Sequence, residues 1–585
     1  MRVPTGLGAV ATATLLLAAG APPAAAQVAS QECGGTGGGA STVSEPGPHE
    51  IGAADVVELK SEIDGGIIQI GFIRPDVPAG TRTPVIVDAG PYYWSDLQDT
   101  DLASCNRFLV ENYVPHGYTV AFVPTRGAGG TDRCSDLMGP AESGDLDQAI
   151  TWLGKQPWSA GTVGMTGISY DGSTPWEVAS KGNPYLSTIV PVSGVIDLYS
   201  QIYRSGRADS RWWLFVPGYQ FAYNTGEANP TNGRDPMRWA GAAFCETVIE
   251  GLAASVESYI TGEGDSFGYW AERNNKPGVE KRYRGSIFVV GGFEDHNVTV
   301  GQAVPWVNKL SRKGTHVKMM LGQWLHAFPD SEGNPAGQRW DYADVLLRWW
   351  DRWLKDDKNS PLGPRVEVQD TSGRWRTEDS WPPDGAHTRQ LFLTPDERLL
   401  SNPDREEAST LLAPGARSRY VFISGPPAEQ SETPIDGYCA ACAVFTTPPQ
   451  ERDLRIAGIP SLKLTVVPHG PGGNVAAYMY RVDEGNVYDL VGYGSADLRF
   501  PAGGHEARPV TPGEEMRFEF DLEPLDTLIP KDERLVLVLD QGNTNDMPGP
   551  PAYPVDLVYG GKKSSFSFPT VTPDPDSYFT PPPEP

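Results

Sequence analysis

The sequence predicts an α/β domain with an inserted helical cap, followed by an all-β sandwich of jelly-roll type. Three observations carry this expectation. From about residue 51, short runs rich in Val, Ile and Leu alternate with helical patterns, and buried strands that alternate with helices make a parallel sheet. Between about 197 and 282 the alternation lapses, and aromatic clusters such as Trp212-Trp213-Leu214-Phe215 sit amid helical patterns. Beyond about 358, strands and turns follow one another with almost no helical periodicity, the pattern of a sandwich.

The elements justify themselves in chain order. Residues 1–26 place Arg2 before an apolar run and end in Ala24-Ala25-Ala26, which reads as a cleaved secretory signal peptide. Thr12, Thr14, Gly20 and Pro22-Pro23 interrupt that run, so it is too broken for an anchor of about 20 apolar residues. Residues 27–50 are rich in Gly, Ser, Thr and Pro and predict a flexible lead-in. Strands are expected at Ile67 to Ile73, Pro84 to Asp88, Thr119 to Val123, Thr162 to Thr166, Thr188 to Val192, Ser286 to Gly291 and Val317 to Leu321. Helical spacing returns from Tyr342 to Leu354 and stops in the charged, turn-rich Lys355 to Pro361. This sets a catalytic domain over 51–357 and a sandwich over 358–585, which opens with Val366 to Gln369 and ends in a Pro-rich tail.

The chain carries 47 basic and 74 acidic residues, a formal charge of −27, so neither nucleic acid nor an anionic membrane is expected as a partner. Six cysteines in an exported chain predict disulfides. Cys105 to Cys134 is the expected pair, because each lies in a loop flanking the same early strand region. Cys439-Ala440-Ala441-Cys442 has no second CxxC or HxxxH partner and reads as a structural loop. No HExxH or acidic calcium loop is present, and neither metal nor cofactor is expected.

The chemistry centres on Gly161 to Gly172. A short strand ends in Gly167-Ile168-Ser169-Tyr170, and a helical pattern follows through Trp176 to Ala179. Strand, sharp turn and helix are the context of a nucleophile elbow, which holds a serine hydroxyl above the sheet. A serine nucleophile needs a base, and the base an orienting acid. Functional groups gather beyond the carboxyl ends of parallel strands, and of eight histidines only His296 and His326 are so placed. His326 follows the run Val317 to Leu321; Glu294 and Asp295 follow Ile287 to Gly292. The order Ser, acid, His is that of an α/β-hydrolase. The backbone N–H of Tyr170, next to the nucleophile, is one expected oxyanion donor.

Trp158 to Gly172 resembles the nucleophile region of X-prolyl dipeptidyl peptidases and cocaine-esterase-type (CocE/NonD) serine hydrolases, whose pattern is G-x-S-Y-x-G. Gly292-Phe293-Glu294-Asp295-His296-Asn297-Val298 is similar to the family's G-x-x-D-x-N-V motif and selects Asp295 over Glu294. Arg126 to Thr131 resembles the R-G-x-G-x-S loop, with Thr131 in place of the commoner serine. Trp375-Arg376 and Trp381-Pro382-Pro383 look like the opening of the family's C-terminal sandwich, and the likeness spans about 60 to 580. It implies an α/β-hydrolase with a Ser169, Asp295, His326 triad and a second oxyanion donor in the hydroxyl of Tyr92, from Pro91-Tyr92, with Tyr93 as the alternative.

The resemblance implies either release of N-terminal X-Pro dipeptides or hydrolysis of small esters and amides. The first requires an anionic site for the substrate amine and walls for a proline ring. Asp209, Glu246, Glu257 and Asp265, with Trp212, Trp213 and Tyr269, are cap candidates for these roles. A third reading gives the sandwich a glycan-binding role through exposed aromatics, for which Tyr478, Tyr480, Trp375 and Trp381 are the candidates.

Overall fold

The computed structural model describes residues 33, 37–204, 207–208, 245–261, 268–331, 339–401, 407–411, 442–500, 507–541, 553–572, 574 and 577–583. The leader 1–26 and the cap candidates Asp209, Trp212, Trp213 and Asp265 lie outside them.

An eleven-stranded sheet organises the catalytic part. It begins with β1 (Ile51–Lys60), β2 (Ile67–Pro75), β3 (Thr83–Gly90), β4 (Thr119–Pro124), β5 (Ser159–Ile168) and β6 (Leu186–Val192), in the order β1-β2-β4-β3-β5-β6. The strands Ser286–Gly292, Val317–Gly322 and Val366–Gln369 continue it in parallel. Every residue of β3, β4 and Ser286–Gly292 is buried, because helices cover both faces. Alternation along β3 sends Val85, Val87 and Ala89 into one core and Ile86 into the other. The first core packs α2 (Pro140–Lys155), α3 (Tyr170–Lys181) and the helix Val304–Arg312; the second packs α1 (Arg107–Tyr113) and the helix Tyr342–Leu354. This is the predicted α/β-hydrolase fold.

Two expectations about strands and cysteines are corrected. Val366–Gln369 is a strand, but it pairs parallel to Val317–Gly322 in the catalytic sheet, and Trp375–Glu378 follows it antiparallel. Charge fixes this edge: Glu367 lies between Lys318, 3.2 Å away, and Arg339, 2.8 Å away, all three nearly inaccessible to water. The disulfides are Cys33–Cys105 and Cys134–Cys245, not Cys105 to Cys134. One fastens the lead-in to the loop before α1, and the other fastens the loop after β4 to the cap helix Glu246–Thr261. Cys442 is also disulfide-bonded, and Cys439 lies outside the described residues.

The described part of the lead-in is held against the catalytic domain instead of hanging free. Ser41 gives its N–H and its hydroxyl to buried Asp330 at 2.9 and 2.5 Å, and Val43 N–H donates to Asn112. Residues 34–36 lie outside the described set.

The described cap comprises Leu198–Ile202, Glu246–Thr261, Tyr269–Glu272 and Lys276–Arg282. Tyr199, Tyr203, Tyr269 and Trp270 form one buried cluster with Tyr170, the first residue of α3. Packing thus joins cap and elbow. The C-terminal part forms a nine-stranded and a four-stranded sheet whose strands pair antiparallel. Between them lies a core that includes Leu464, Phe518, Leu537 and Phe566. Tyr478, Tyr480, Trp375 and Trp381 are all buried, so none of them forms an exposed stacking platform. Among the described residues no helix is long and apolar enough to cross a membrane.

Candidate active site

The elbow forms where β5 gives way to α3. Ser169, between them, has φ 65° and ψ −121°, a conformation that L-residues avoid and that marks strain held at a site. Glycines make the turn possible. A Cβ on Gly167 (φ 155°) would press on Asp171, and one on Gly172 would collide with the Val192 carbonyl. Ser169 N–H donates to that same carbonyl at 3.1 Å, and Ser173 Oγ donates to the Ser169 carbonyl at 2.8 Å. The first-turn N–H groups of a helix have no carbonyl four residues back, and that of Tyr170 opens α3 beside the serine.

Tyr92, two residues beyond β3, donates its hydroxyl to Ser169 Oγ at 3.3 Å. Tyr93 is excluded from this task because its buried hydroxyl donates to the Asp88 carbonyl at 3.0 Å. The side chain of Tyr170 points elsewhere: its hydroxyl donates to Glu142 at 2.5 Å and accepts from Met138 N–H.

Asp295 and His326 meet at the same end of the sheet. His326 Nδ1 lies 2.8 Å from Asp295 Oδ2. The other oxygen, Oδ1, accepts the N–H groups of Asn297 and Val298 at 2.9 and 2.8 Å. Burial works against the charge of Asp295, but His326, the Val298 N–H and the Ser193 hydroxyl outweigh it and hold the carboxyl below its usual range. Glu294 behaves in the opposite way, because burial and then Asp489 raise its pKa. Of the two carboxyls, Asp295 is the one whose surroundings favour the ionised form. His296 packs its ring edge-on to Tyr493 of the sandwich, 4.9 Å between centroids.

Of the cap candidates, Glu246 is exposed and Glu257 half-buried. Tyr269 is buried under the Arg273 guanidinium, 3.5 Å from its ring centroid. Sequence reading missed Ser193 and Glu142, which act on Asp295 and Tyr170 from distant parts of the chain, and Asp171, which stands two residues from Ser169. No metal-binding group of three His, Cys, Asp or Glu occurs among the described residues.

The model of the X-Pro dipeptidyl-peptidase S15 family matches residues 64–328, and that of the X-Pro dipeptidyl-peptidase C-terminal non-catalytic domain matches 362–562. The chain belongs to this family. The chain is similar to a candidate Xaa-Pro dipeptidyl-peptidase of Streptomyces avermitilis, 24% identical over 580 residues, covering 86% of this chain and 80% of that one. A cocaine esterase of Rhodococcus is 29% identical over 182 residues, 30% of this chain and 31% of that one. The crystal structure of an aminopeptidase from a marine sediment archaeon superimposes with a TM-score of 0.69 at 18% identity, covering 89% of this chain and 97% of that one. It shows that the fold is shared along most of this chain.

Proposed function

We propose that this S15-family hydrolase is an exported serine peptidase that releases X-Pro dipeptides from peptide N-termini through an acyl-enzyme. Ser169 Oγ attacks the scissile carbonyl while His326 takes its proton, and Asp295 holds the imidazole in the tautomer that can accept it. The carbonyl oxygen becomes an oxyanion between the Tyr92 hydroxyl and the Tyr170 N–H. His326 then gives the proton to the leaving amine, and water attacks the acyl-enzyme by the same steps to free the dipeptide and Ser169. The observation that carries this reading is the Asp295–His326 hydrogen bond at the strand ends that also bear a strained, Tyr92-bound serine. The leader and the disulfides support export.

An ammonium held by cap carboxylates would distinguish the peptidase. Leaving such a buried carboxylate unpaired costs about 2 to 5 kcal/mol, roughly 30-fold to several-thousand-fold in kcat/KM. Ala-Pro-anilide with a free amine is therefore expected to turn over readily, and the N-acylated form by that factor less. Equal rates on the two would leave the second reading, an ester and amide hydrolase, which the likeness to cocaine esterase favours.

Tyr92→Phe removes one oxyanion donor and is expected to lower kcat about 100- to 1000-fold with little change in KM, since the donor acts on charge that develops after binding. A loss confined to KM would make Tyr92 a binding residue instead.

A further inference from the structure

Two carboxyls lie beneath the elbow, and the proposed reaction uses neither. Asp88, near the end of β3, and Asp171, in the first turn of α3, are both 0% exposed. Asp88 Oδ2 accepts from Asn106 Nδ2 at 2.8 Å. The Asp171 carboxyl is its other hydrogen-bond partner, seated so tightly on the β3 backbone that any Cβ at Gly90 would overlap it. Thr174 of α3 reinforces the same junction by donating its hydroxyl to the Ala89 carbonyl at 2.8 Å.

The neighbours that act on Asp88 bring it no positive charge. On the neighbouring strands Asp88 sits in register with Phe122 of β4 and Thr166 of β5. Asn106 faces it from the loop before α1. Tyr93 bonds its carbonyl, and burial followed by the two carboxylates keeps that phenol neutral. Burial, Asn106 and Asp171 are what set the acidity of Asp88, with no Lys, Arg or His among the causes, and burial prevails and raises it to about 7. Two carboxyls in hydrogen-bond contact cannot both ionise where burial already prevails over the bonds that favour charge.

We propose that Asp88 and Asp171 share one proton and act as positioning residues, their O–H···O bridge locking the turn that carries Tyr92 to the turn that carries the Tyr170 N–H. The inference rests on the reading of Ser169, Tyr92 and Tyr170 given above, and it adds what fixes the spacing of the two oxyanion donors. Tyr92 lies four residues beyond Asp88, and Tyr170 adjoins Asp171. Loss of the shared proton puts two negative charges in contact and drives the turns apart. Turnover then falls with alkalinity while KM changes little.

The sign for stability follows from linkage. A carboxyl whose pKa is raised on folding holds its proton in the folded state after the unfolded chain has released it, so stability falls as pH rises from the ordinary value of 3.8 to about 7 and levels off beyond. Asp171→Asn supplies a permanent N–H donor to Asp88 and needs no proton. Glu142, Glu177 and Asp330 are raised too, but they are common to both proteins and cancel in the difference between the variant and the parent.

The test measures unfolding temperature and ester turnover on the full chain from about pH 5 to about pH 9. The expected result is an Asp171→Asn minus parent difference in Tm that grows with pH up to about neutrality. The variant should also lack the alkaline fall of about tenfold or more in kcat seen in the parent. Asp171→Ala, which cannot bridge, should lose about tenfold or more in kcat at every pH with KM within about threefold. Asp88→Asn repeats the test from the other strand and serves if Asp171→Asn does not fold. Parallel Tm curves and superimposable kcat profiles for the parent and whichever Asn variant folds would overturn the shared proton. That outcome is separate from failure of the active-site reading, which would appear as covalent labelling that survives in Ser169→Ala.

Discussion

Ser169→Ala is expected to lower kcat by about a million-fold and to abolish covalent labelling by a serine-directed fluorophosphonate. No neighbour can replace the attacking oxygen. The hydroxyl of Ser173 is committed to the Ser169 carbonyl and the Val195 N–H, and that of Thr174 to β3. Alanine tolerates or resists φ 65° as serine does, so the elbow and the unfolding temperature should survive the change. Labelling is the cleaner measurement because it does not depend on having chosen the right substrate. A variant that still takes up the probe would mean that the nucleophile lies elsewhere in the chain.

Asp295→Asn is expected to cost about ten-thousand-fold in kcat, the second-largest effect. Asparagine can keep the bonds from Asn297 and Val298 with its carbonyl oxygen, but it then offers an N–H to His326 Nδ1. The ring is held in the tautomer that has no free lone pair for the Ser169 proton. Glu294→Gln is the matched control: its carboxyl is pushed toward the neutral form by burial and by Asp489, so the amide changes little. Steady-state kinetics of both variants on one substrate decide the matter. If Glu294→Gln were the crippled enzyme, the acid would be misassigned.

How much of this was legible in the sequence depends on the range over which each feature is encoded. Ile67 to Ile73, Thr119 to Val123 and Tyr342 to Leu354 announced themselves because a buried strand or an amphipathic helix writes its own period into neighbouring residues. The elbow was legible for the same reason, since its glycines sit within a few residues of Ser169. Val366–Gln369 was read correctly as a strand and placed in the wrong sheet. Its pattern records that both faces are buried, and only the ion pairs from Lys318 and Arg339 record against what. The cysteines failed similarly, because six thiols permit fifteen pairings and nothing in the spacing chooses among them. Tyr92 was the expected donor and Tyr93 the alternative, and only the fold assigned one hydroxyl to Ser169 and the other to a carbonyl. Asp88 and Asp171 carried no signal at all. Each alone reads as an ordinary aspartate, one ending an expected strand and one just past the elbow serine, and their relation exists only after β3 and β5 have paired.

The outer edge of the catalytic sheet is closed late. Trp375–Glu378 is covered by Tyr578–Phe579, which pairs with it antiparallel after the intervening chain has built the sandwich. Arg376 is fully buried there beside Asp370, with Tyr578 stacked on its guanidinium 3.7 Å from the ring centroid. The sandwich is therefore not a detachable appendage, and cutting the gene between the two would leave an unpaired strand bearing an uncovered arginine. Exposed edges of that kind recruit other chains. Clipping by a protease just before Tyr578 should consequently show itself first as self-association of the enzyme, well before any change at Ser169.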